Sequence, residues 1–300
     1  MIINRSFSSS FSKEERFGSL KSLVLLVVIA ILATSNTYAQ ASFETIDGLR
    51  YLIDSDAKTA TLTANNGDQK YSGDIVVPEK VKASDGVEYP VTAFGENAFK
   101  ECRGLKSVTI PSSVTSLGKS CFDGCWDLTS ITIPSSVTSL GDGCFSASGL
   151  INVTIPSSVT SLSPLCFMGC SSLTSVTIPS SVTYLDYSCF YRCTGLASVY
   201  MYAEHLPTML GYNVFGGCDA DNCILYVPKG TMDMYRQSSA FGYFKNIVEL
   251  DATDINNPAT STNLKEVYRY TTNGRRILTP TKGINVVKYN NGSVKKVFVK

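Results

Sequence analysis

Few side chains in this sequence could carry out chemistry. There is one histidine, His205, alongside ten cysteines, and no Gly-x-Ser-x-Gly segment. A single imidazole excludes zinc sites of the His-Glu-x-x-His type, and a histidine without a nucleophile motif is typical of a solvated loop residue rather than a general base. The sequence therefore predicts no catalytic residue, no metal site, no cofactor and no enzymatic activity.

The cysteines recur with a regular spacing, either directly before a phenylalanine or three positions after one. The first set is Cys121, Cys144, Cys166 and Cys189, and the second is Cys102, Cys125, Cys170, Cys193 and Cys218. Members of a set would lie within disulfide distance, but their Cβ vectors point the same way, so buried free thiols and bridges both stay open. Cys218 and Cys223 are the best-placed pair for a disulfide. Cys-x-x-x-Cys pairs that repeat instead of converging argue against zinc.

The elements that position these side chains follow from a repeat. Ile-Pro-Ser-Ser-Val-Thr occurs at Ile110, Ile133, Ile155 and Ile178, with spacings of 23, 22 and 23 residues. Alternating Val and Ile before each proline indicate a short half-buried strand that the proline ends. No single coil of this length buries a core, so the coils must stack as a solenoid with a parallel β-sheet.

The ends of such a stack need caps, because they would otherwise expose unpaired strand edges. Alternating residues at 49–53 and 59–63 predict a β-hairpin cap within residues 40–76. The solenoid with its C-terminal cap spans residues 77–250, and a short helix is expected at residues 231–237.

A hydroxyl-rich outward face of the sheet is the predicted ligand-binding surface. Its positions are Ser107, Thr109, Ser130, Thr132, Asn152, Thr154, Ser175, Thr177, Ser198 and Tyr200. The predicted aromatic anchors are Tyr184, Tyr187, Tyr191 and Tyr202, since binding energy concentrates on aromatic residues. Simple solvated alternation is the alternative for the face. Trp126 either anchors a partner, if exposed, or fills the core.

The repeat unit resembles a known family. Leu-x-x-Val/Ile-x-Ile-Pro-Ser-Ser-Val-x-x-Leu-x-x-x-Cys-Phe-x-x-Cys is similar to the BspA-like leucine-rich repeat, with cysteine where that family more often has alanine before the phenylalanine. The resemblance covers about residues 75–250. It implies a leucine-rich-repeat solenoid in a secreted or surface-exposed binding protein of the kind common in Bacteroidetes, and not an enzyme.

The two termini differ from the repeats. Residues 1–39 combine basic residues, an apolar run at 23–33 and Thr37-x-Ala39, which predicts a signal peptide cleaved near Ala39; an uncleaved membrane anchor is the alternative. A polar linker at 251–263 precedes residues 264–300, which carry a net charge of +8 against −9 for residues 40–263. Two Asn-Gly turns predict a small β module there.

The tail also resembles the C-terminal sorting domain of type IX secretion cargo, on Tyr268, Asn273-Gly274-Arg275-Arg276, Lys282-Gly283-Ile284 and residues 295–300. That resemblance implies partnership with secretion machinery and export to the outer cell surface. A β module that binds an acidic surface is the alternative. Because the charge of the whole chain is only +1 and no aromatic binding motif is present, we expect no nucleic-acid partner.

Together these features predict an exported surface protein that binds a protein or glycan ligand, without a transmembrane segment in the mature chain. A structural or self-associating component of the cell envelope is the alternative.

Overall fold

The computed structural model describes residues 41–65, 69–209, 212–250, 266–271, 276–277, 282–289 and 294–299. The backbone winds into a β-solenoid of about seven turns of roughly 23 residues, so the predicted solenoid is confirmed. Six turns carry a phenylalanine of one column, and we number them coils 1 to 6 by that residue: Phe99, Phe122, Phe145, Phe167, Phe190 and Phe215. The predicted signal peptide and linker lie outside the described residues.

An antiparallel meander covers the N-terminal end. It contains β1 (Ser42–Ile46), β2 (Leu49–Asp54) and β3 (Thr59–Thr63), so the structure adds one strand to the hairpin that the sequence predicts. Asp54 closes the β2–β3 turn, because its Oδ1 accepts hydrogen bonds from the backbone of Asp56 and Ala57 at 3.0 and 2.8 Å. Beyond the meander, β4 (Gly73–Val76) already belongs to the parallel stack.

One side of the solenoid carries the predicted parallel sheet. β4 pairs with β7 (Leu105–Thr109), and a five-stranded sheet follows. Its strands are β10 (Asn152–Thr154), β12 (Ser175–Ile178), β14 (Ser198–Met201), β16 (Ile224–Pro228) and β17 (Asn246–Leu250). Residues 128–133 form no strand, so the ladder is interrupted between β7 and β10, next to the one coil that is a residue short.

A second set of parallel strands is formed by short strands, one after the proline of each Ile-Pro-Ser-Ser segment. β6 (Glu88–Phe94), with β5 (Lys80–Lys82) antiparallel to it, joins β3 to the stack. The later strands are β8 (Ser116–Leu117), β9 (Ser139–Leu140), β11 (Ser161–Leu162), β13 (Tyr184–Leu185) and β15 (Thr208–Met209). β8, β9, β11 and β13 each contribute one buried leucine to the interior. β8, β9, β13 and β15 pair in parallel with the strand of the coil before them.

The core is a column of rings. From coil 1 to coil 6 the phenylalanine rings lie parallel, with centroids 5.1–5.3 Å apart and planes within 5° of each other. Full burial of each ring contributes about 1.5–3 kcal/mol. No ring is covered by its own coil alone, so the stabilisation exists only in the stack.

A short helix and a last strand close the C-terminal end. α1 (Met232–Gln237) begins after Thr231, within the segment predicted to be helical. Tyr235 is buried and donates a hydrogen bond to the carbonyl oxygen of Ala203 at 2.9 Å, which fixes the helix against coil 5. Strand β17, which the sequence does not predict, then pairs in parallel with β16.

The tail contains a separate antiparallel sheet, as predicted. Its strands are β18 (Glu266–Thr271), β19 (Arg276–Ile277), β20 (Gly283–Tyr289) and β21 (Val294–Val299), in the order β19-β18-β20-β21.

Candidate binding surface

The predicted ligand-binding face is accessible over its first three coils. Six of its residues are exposed: Ser107, Thr109, Ser130, Thr132, Asn152 and Thr154. Ser107 donates a hydrogen bond to Asp74 Oδ1 at 2.6 Å, so a carboxylate adjoins the hydroxyl rows at their N-terminal end. The surface is polar and can make many separate hydrogen bonds.

The C-terminal part of the same face is closed, unlike the continuous plane that strand alternation suggests. Ser175, Ser198 and Tyr200 are only 7%, 6% and 8% exposed, and Thr177 is half-buried. The Tyr200 ring stacks on Tyr226 of β16, with centroids 4.6 Å apart. Ser198 lies in register between Ser175 and the larger Ile224. Alternation gives the side of a sheet on which a residue lies, but not what packs over it.

The four predicted aromatic anchors do not form one patch. Tyr184 lies on β13, whereas Tyr202 follows β14, and both are half-buried. Tyr187 and Tyr191 lie in the turns of coil 5, where Tyr187 is 45% exposed. The guanidinium of Arg192 lies 5.3 Å from the centre of the Tyr191 ring. Tyr184 therefore lies on a strand of the second set, Tyr202 after a strand of the first sheet, and Tyr187 and Tyr191 in turns.

His205 borders an open cleft of about 390 Å³ in the irregular segment after β14. Tyr202, Glu204, Thr183 and Ser180 also line it, and both His205 and Glu204 are exposed. Nucleophile and base geometry is not assembled around this histidine among the described residues. Nor do any three His, Cys, Asp or Glu side chains converge as metal ligands in the part of the chain that the structure describes.

Trp126 is exposed, so it does not fill the core. The indole is 56% exposed and packs against Arg103, whose Cζ lies 4.3 Å from the ring centre. Such a cation–π contact orients both side chains. Sequence reasoning missed Arg103, although the signal was available: Arg103 and Trp126 each follow a cysteine of the second set and lie 23 residues apart.

Comparison with known proteins identifies the type of repeat. A model of the BspA type leucine-rich repeat region matches residues 92–222 in six copies. Residues 92–222 are BspA-type leucine-rich repeats. The match falls on the coils described above and includes the exposed part of the face and Trp126. No curated protein matches the chain.

Solved structures of bacterial leucine-rich-repeat proteins are similar to parts of the chain. A T. pallidum leucine-rich-repeat protein is 26% identical, with a TM-score of 0.45, over 57% of this chain and 86% of that one. A leucine-rich cell surface protein from Faecalibacterium prausnitzii is 23% identical, with a TM-score of 0.47; the match covers 85% of this chain and 60% of that one. Within the described residues, no helix has the length and apolar character needed to cross a bilayer.

The second set of cysteines has a structural task within the BspA-type repeats. Four of its five thiols donate to the carbonyl oxygen of the phenylalanine in the coil before them: Cys125 to Phe99 at 3.0 Å, Cys170 to Phe145 at 3.0 Å, Cys193 to Phe167 at 3.1 Å and Cys218 to Phe190 at 3.2 Å. Ser148 occupies this position in coil 3. The thiols thus connect consecutive coils without a covalent bond.

All ten cysteines are free in the structure, including Cys218 and Cys223, so the bridge proposed between those two is not formed. Cys218 instead donates to the Phe190 carbonyl oxygen. Burial raises the pKa of the Cys189 and Cys223 thiols to about 12 in each case. Both therefore remain protonated at neutral pH, which is the form that can donate a hydrogen bond.

Proposed function

We propose that this protein is an exported, cell-surface binding or adhesion module without enzymatic activity, whose ligand is a protein or a glycan. The observation that carries the proposal is the exposed polar face over β7 to β10, built on BspA-type repeats. β7 is fixed by its pairing with β4, and β10 by its pairing with β12, so the side chains on these strands are held in place before a ligand arrives. Little side-chain and backbone entropy is then lost on binding, and many weak contacts can add up.

A binding array tests this function. The full-length protein would be applied to immobilised glycans and extracellular-matrix proteins, beside Thr132→Arg and Ser139→Arg variants. Both residues are exposed in the same part of the chain, but Thr132 lies on the proposed face and Ser139 lies on β9 of the second sheet. We expect Thr132→Arg to weaken binding at least tenfold and Ser139→Arg to leave it unchanged.

Two results would contradict the proposal. Equal effects of both variants would remove the face from the interaction. Absence of any ligand, together with oligomers that Thr132→Arg dissociates, would favour the structural, self-associating alternative.

Export supplies the second part of the proposal. We infer five regions: a signal peptide (1–39), a β cap (40–76), the repeat solenoid (77–250), a linker (251–263) and a sorting module (264–300). The excess of positive charge in the last region sets it apart from the acidic repeats. Deletion of residues 264–300 should leave the solenoid folded but retained in the periplasm. Normal surface display of the truncated chain would contradict the sorting role, and loss of binding to anionic surfaces alone would favour the alternative for the tail.

A further inference from the structure

The short third coil lies directly beside the single tryptophan of the chain. In full-length coils two residues separate the cysteine of the second set from the next buried leucine, as Trp126 and Asp127 do before Leu128. Coil 3 has only Gly149 between Ser148 and Leu150. The backbone shows where the residue is missing. Coil 3 matches coil 2 as far as Ala147, which has a positive φ like its equivalent Gly124. The backbone N–H of Gly149 then donates to the carbonyl oxygen of Cys125 at 2.9 Å. The position that would stand against Trp126 is therefore absent.

The space left beside Trp126 by the absent residue is called the gap here. The residue of coil 3 at its base, Gly149, must be glycine. A Cβ on Gly149 would lie 1.8 Å from the carbonyl oxygen of Trp126, far closer than two non-bonded heavy atoms can approach. Coil 3 consequently passes beneath the indole without a side chain of its own. The ring is left standing above the backbone of its neighbour.

One face of the indole is occupied and the other is not covered by a matching side chain. Arg103 and Trp126 hold equivalent positions in coils 1 and 2, and the guanidinium lies over the ring at 4.3 Å. The covered face is thus turned towards coil 1, so the opposite face of the planar ring is turned towards coil 3, where the equivalent position is missing. An exposed fraction of 56% despite the Arg103 contact agrees with an open second face.

The far wall of the gap is polar. Ser171 and Ser172 occupy the equivalent positions in coil 4, and both are exposed, as is Asp127 at the near side. Two coil spacings separate Trp126 from Ser171, which is about 10 Å. A ring stacked on the indole at about 3.5–4 Å leaves about 6 Å to the serines, a distance spanned by a hydroxyl group or a bridging water. An α-helix, about 10–12 Å wide, does not fit.

We propose that this gap, lined by Trp126, Gly149, Ser171 and Ser172, binds one pyranose ring of an oligosaccharide. A pyranose has an apolar C–H face that stacks on an aromatic ring and hydroxyl groups that bond to a polar wall, and the gap presents one of each. The inference rests on the proposed binding function and narrows it to a glycan and to one site. Arg103 holds the indole upright and offers donors at its edge.

Trp126 is the only tryptophan, so its fluorescence reports on the gap directly. The full-length protein would be titrated with maltotriose, cellotriose, mannotriose and triacetylchitotriose, followed by a glycan array. We expect at least one saccharide to give a saturable emission shift and to protect the indole from acrylamide quenching. Calorimetry on Trp126→Ala should show loss of that binding, whereas Tyr212→Ala, which removes an 85% exposed ring elsewhere, should bind normally.

Two further variants fill the gap while keeping the fluorophore. Insertion of serine between Ser148 and Gly149 restores a 23-residue coil, and Ser172→Arg narrows the gap from coil 4 without changing the chain length. Each should weaken saccharide binding at least tenfold with an unchanged circular dichroism spectrum. The arginine variant keeps the test decisive if the insertion disturbs folding.

The outcomes separate this site from the proposed function. Glycan binding that survives Trp126→Ala overturns the site and leaves the function standing. Capture of a protein ligand that depends on Trp126, with no saccharide response, overturns the pyranose assignment in favour of a protein contact. Absence of every ligand, on the array as in solution, overturns both.

Discussion

Cysteine acts in this protein as a hydrogen-bonding residue of the core. Cys125 and its equivalents donate to carbonyl oxygens inside the stack, and Ser148 shows that a hydroxyl can take the same place. Cysteine is slightly larger and much less polar than serine, so it fills the turn while still satisfying a buried acceptor. The other set, which precedes each phenylalanine, includes Cys189, whose thiol donates to the carbonyl oxygen of Asp186 at 2.7 Å.

Because such a thiol is buried in its protonated form, the free energy of unfolding should fall at alkaline pH. Burial, with a smaller contribution from Asp186, raises the pKa of Cys189 from 9.0 to about 12. A raised folded-state pKa means that the contribution to stability is complete below about pH 9 and is lost as the pH rises towards 12. Between about pH 9 and 10.5, urea unfolding should show the free energy of unfolding falling less steeply in Cys189→Ala than in the parent, by about 1.4 kcal/mol per pH unit. Alanine and valine stand at this position in coils 1 and 6, so the variant should fold. Identical slopes would contradict the assignment.

Backbone strain at single positions is a second residue-level property. The residue before each cysteine of the second set has a positive φ, and so has the residue before Ser148 in coil 3; it is glycine at Gly124 and Gly169 but alanine at Ala147. Alanine in the left-handed region costs about 1–2 kcal/mol relative to the right-handed one. We expect Ala147→Gly to raise the free energy of unfolding by up to about 1 kcal/mol. The gain is smaller than the strain relieved, because glycine also gains freedom in the unfolded chain, which lowers the free energy of unfolding.

Gly169→Ala is the matched reverse experiment. The nearest atom to an added Cβ lies 3.9 Å away, so space is available and only the backbone conformation opposes the change. Its midpoint of chemical unfolding should fall. A rise for Gly169→Ala, or a fall for Ala147→Gly, would show that this position does not carry the strain described.

At the scale of the element, the Pro-Ser-Ser turn joins each coil to the one before it. The second serine donates to a valine carbonyl oxygen of the preceding coil, as Ser136 does to Val114 O at 2.7 Å and Ser181 to Val159 O at 3.0 Å. The first serine, such as Ser135, is exposed. The two adjacent serines of one turn are therefore expected to contribute differently to the free energy of unfolding.

We expect Ser136→Ala to lower the free energy of unfolding by about 1 kcal/mol, the net value of one such hydrogen bond. Ser135→Ala, one residue away, should change it by less than about 0.5 kcal/mol. Thermal and urea unfolding of the two variants measure the difference. Equal stabilities would show that water replaces the Ser136 bond without loss.

Periodicity allowed the coil columns and the parallel strands to be predicted, because each depends on residues within one repeat, whereas the C-terminal helix was predicted from its own segment in the cap. It did not give the interrupted ladder at residues 128–133 or strand β17, which depend on how neighbouring coils pair. For the same reason, periodicity could not predict that Ser175, Ser198 and Tyr200 are buried. The exposure of Trp126 required knowing where coil 3 lacks a residue. Periodicity predicts the features that all coils share, whereas the candidate site at Trp126 lies where coil 3 differs from coil 2.

At the largest scale described, the solenoid between residues 69 and 250 is a one-dimensional stack in which each coil contacts mainly its two neighbours. Phe145 packs between Phe122 and Phe167, and backbone bonds such as Phe145 N to Cys166 O at 2.8 Å repeat at every step. Stability in such an array is a sum of coil terms and interface terms. A complete coil is therefore removable in principle, whereas half a coil is not.

Deletion of residues 156–178 tests this property. It removes one 23-residue repeat and joins Ile155 to Pro179, which restores the Ile-Pro-Ser-Ser segment at the junction. The phenylalanine of coil 3 would then meet that of coil 5, so we expect a folded protein with a lower urea midpoint and a smaller dependence of unfolding free energy on urea, because less surface is buried. Deletion of residues 168–178 ends at the same place but removes less than half a repeat, which shifts every later column out of register and should abolish cooperative unfolding. If the two deletions unfolded alike, the coils would not be the independent, interchangeable units that the stacked rings imply.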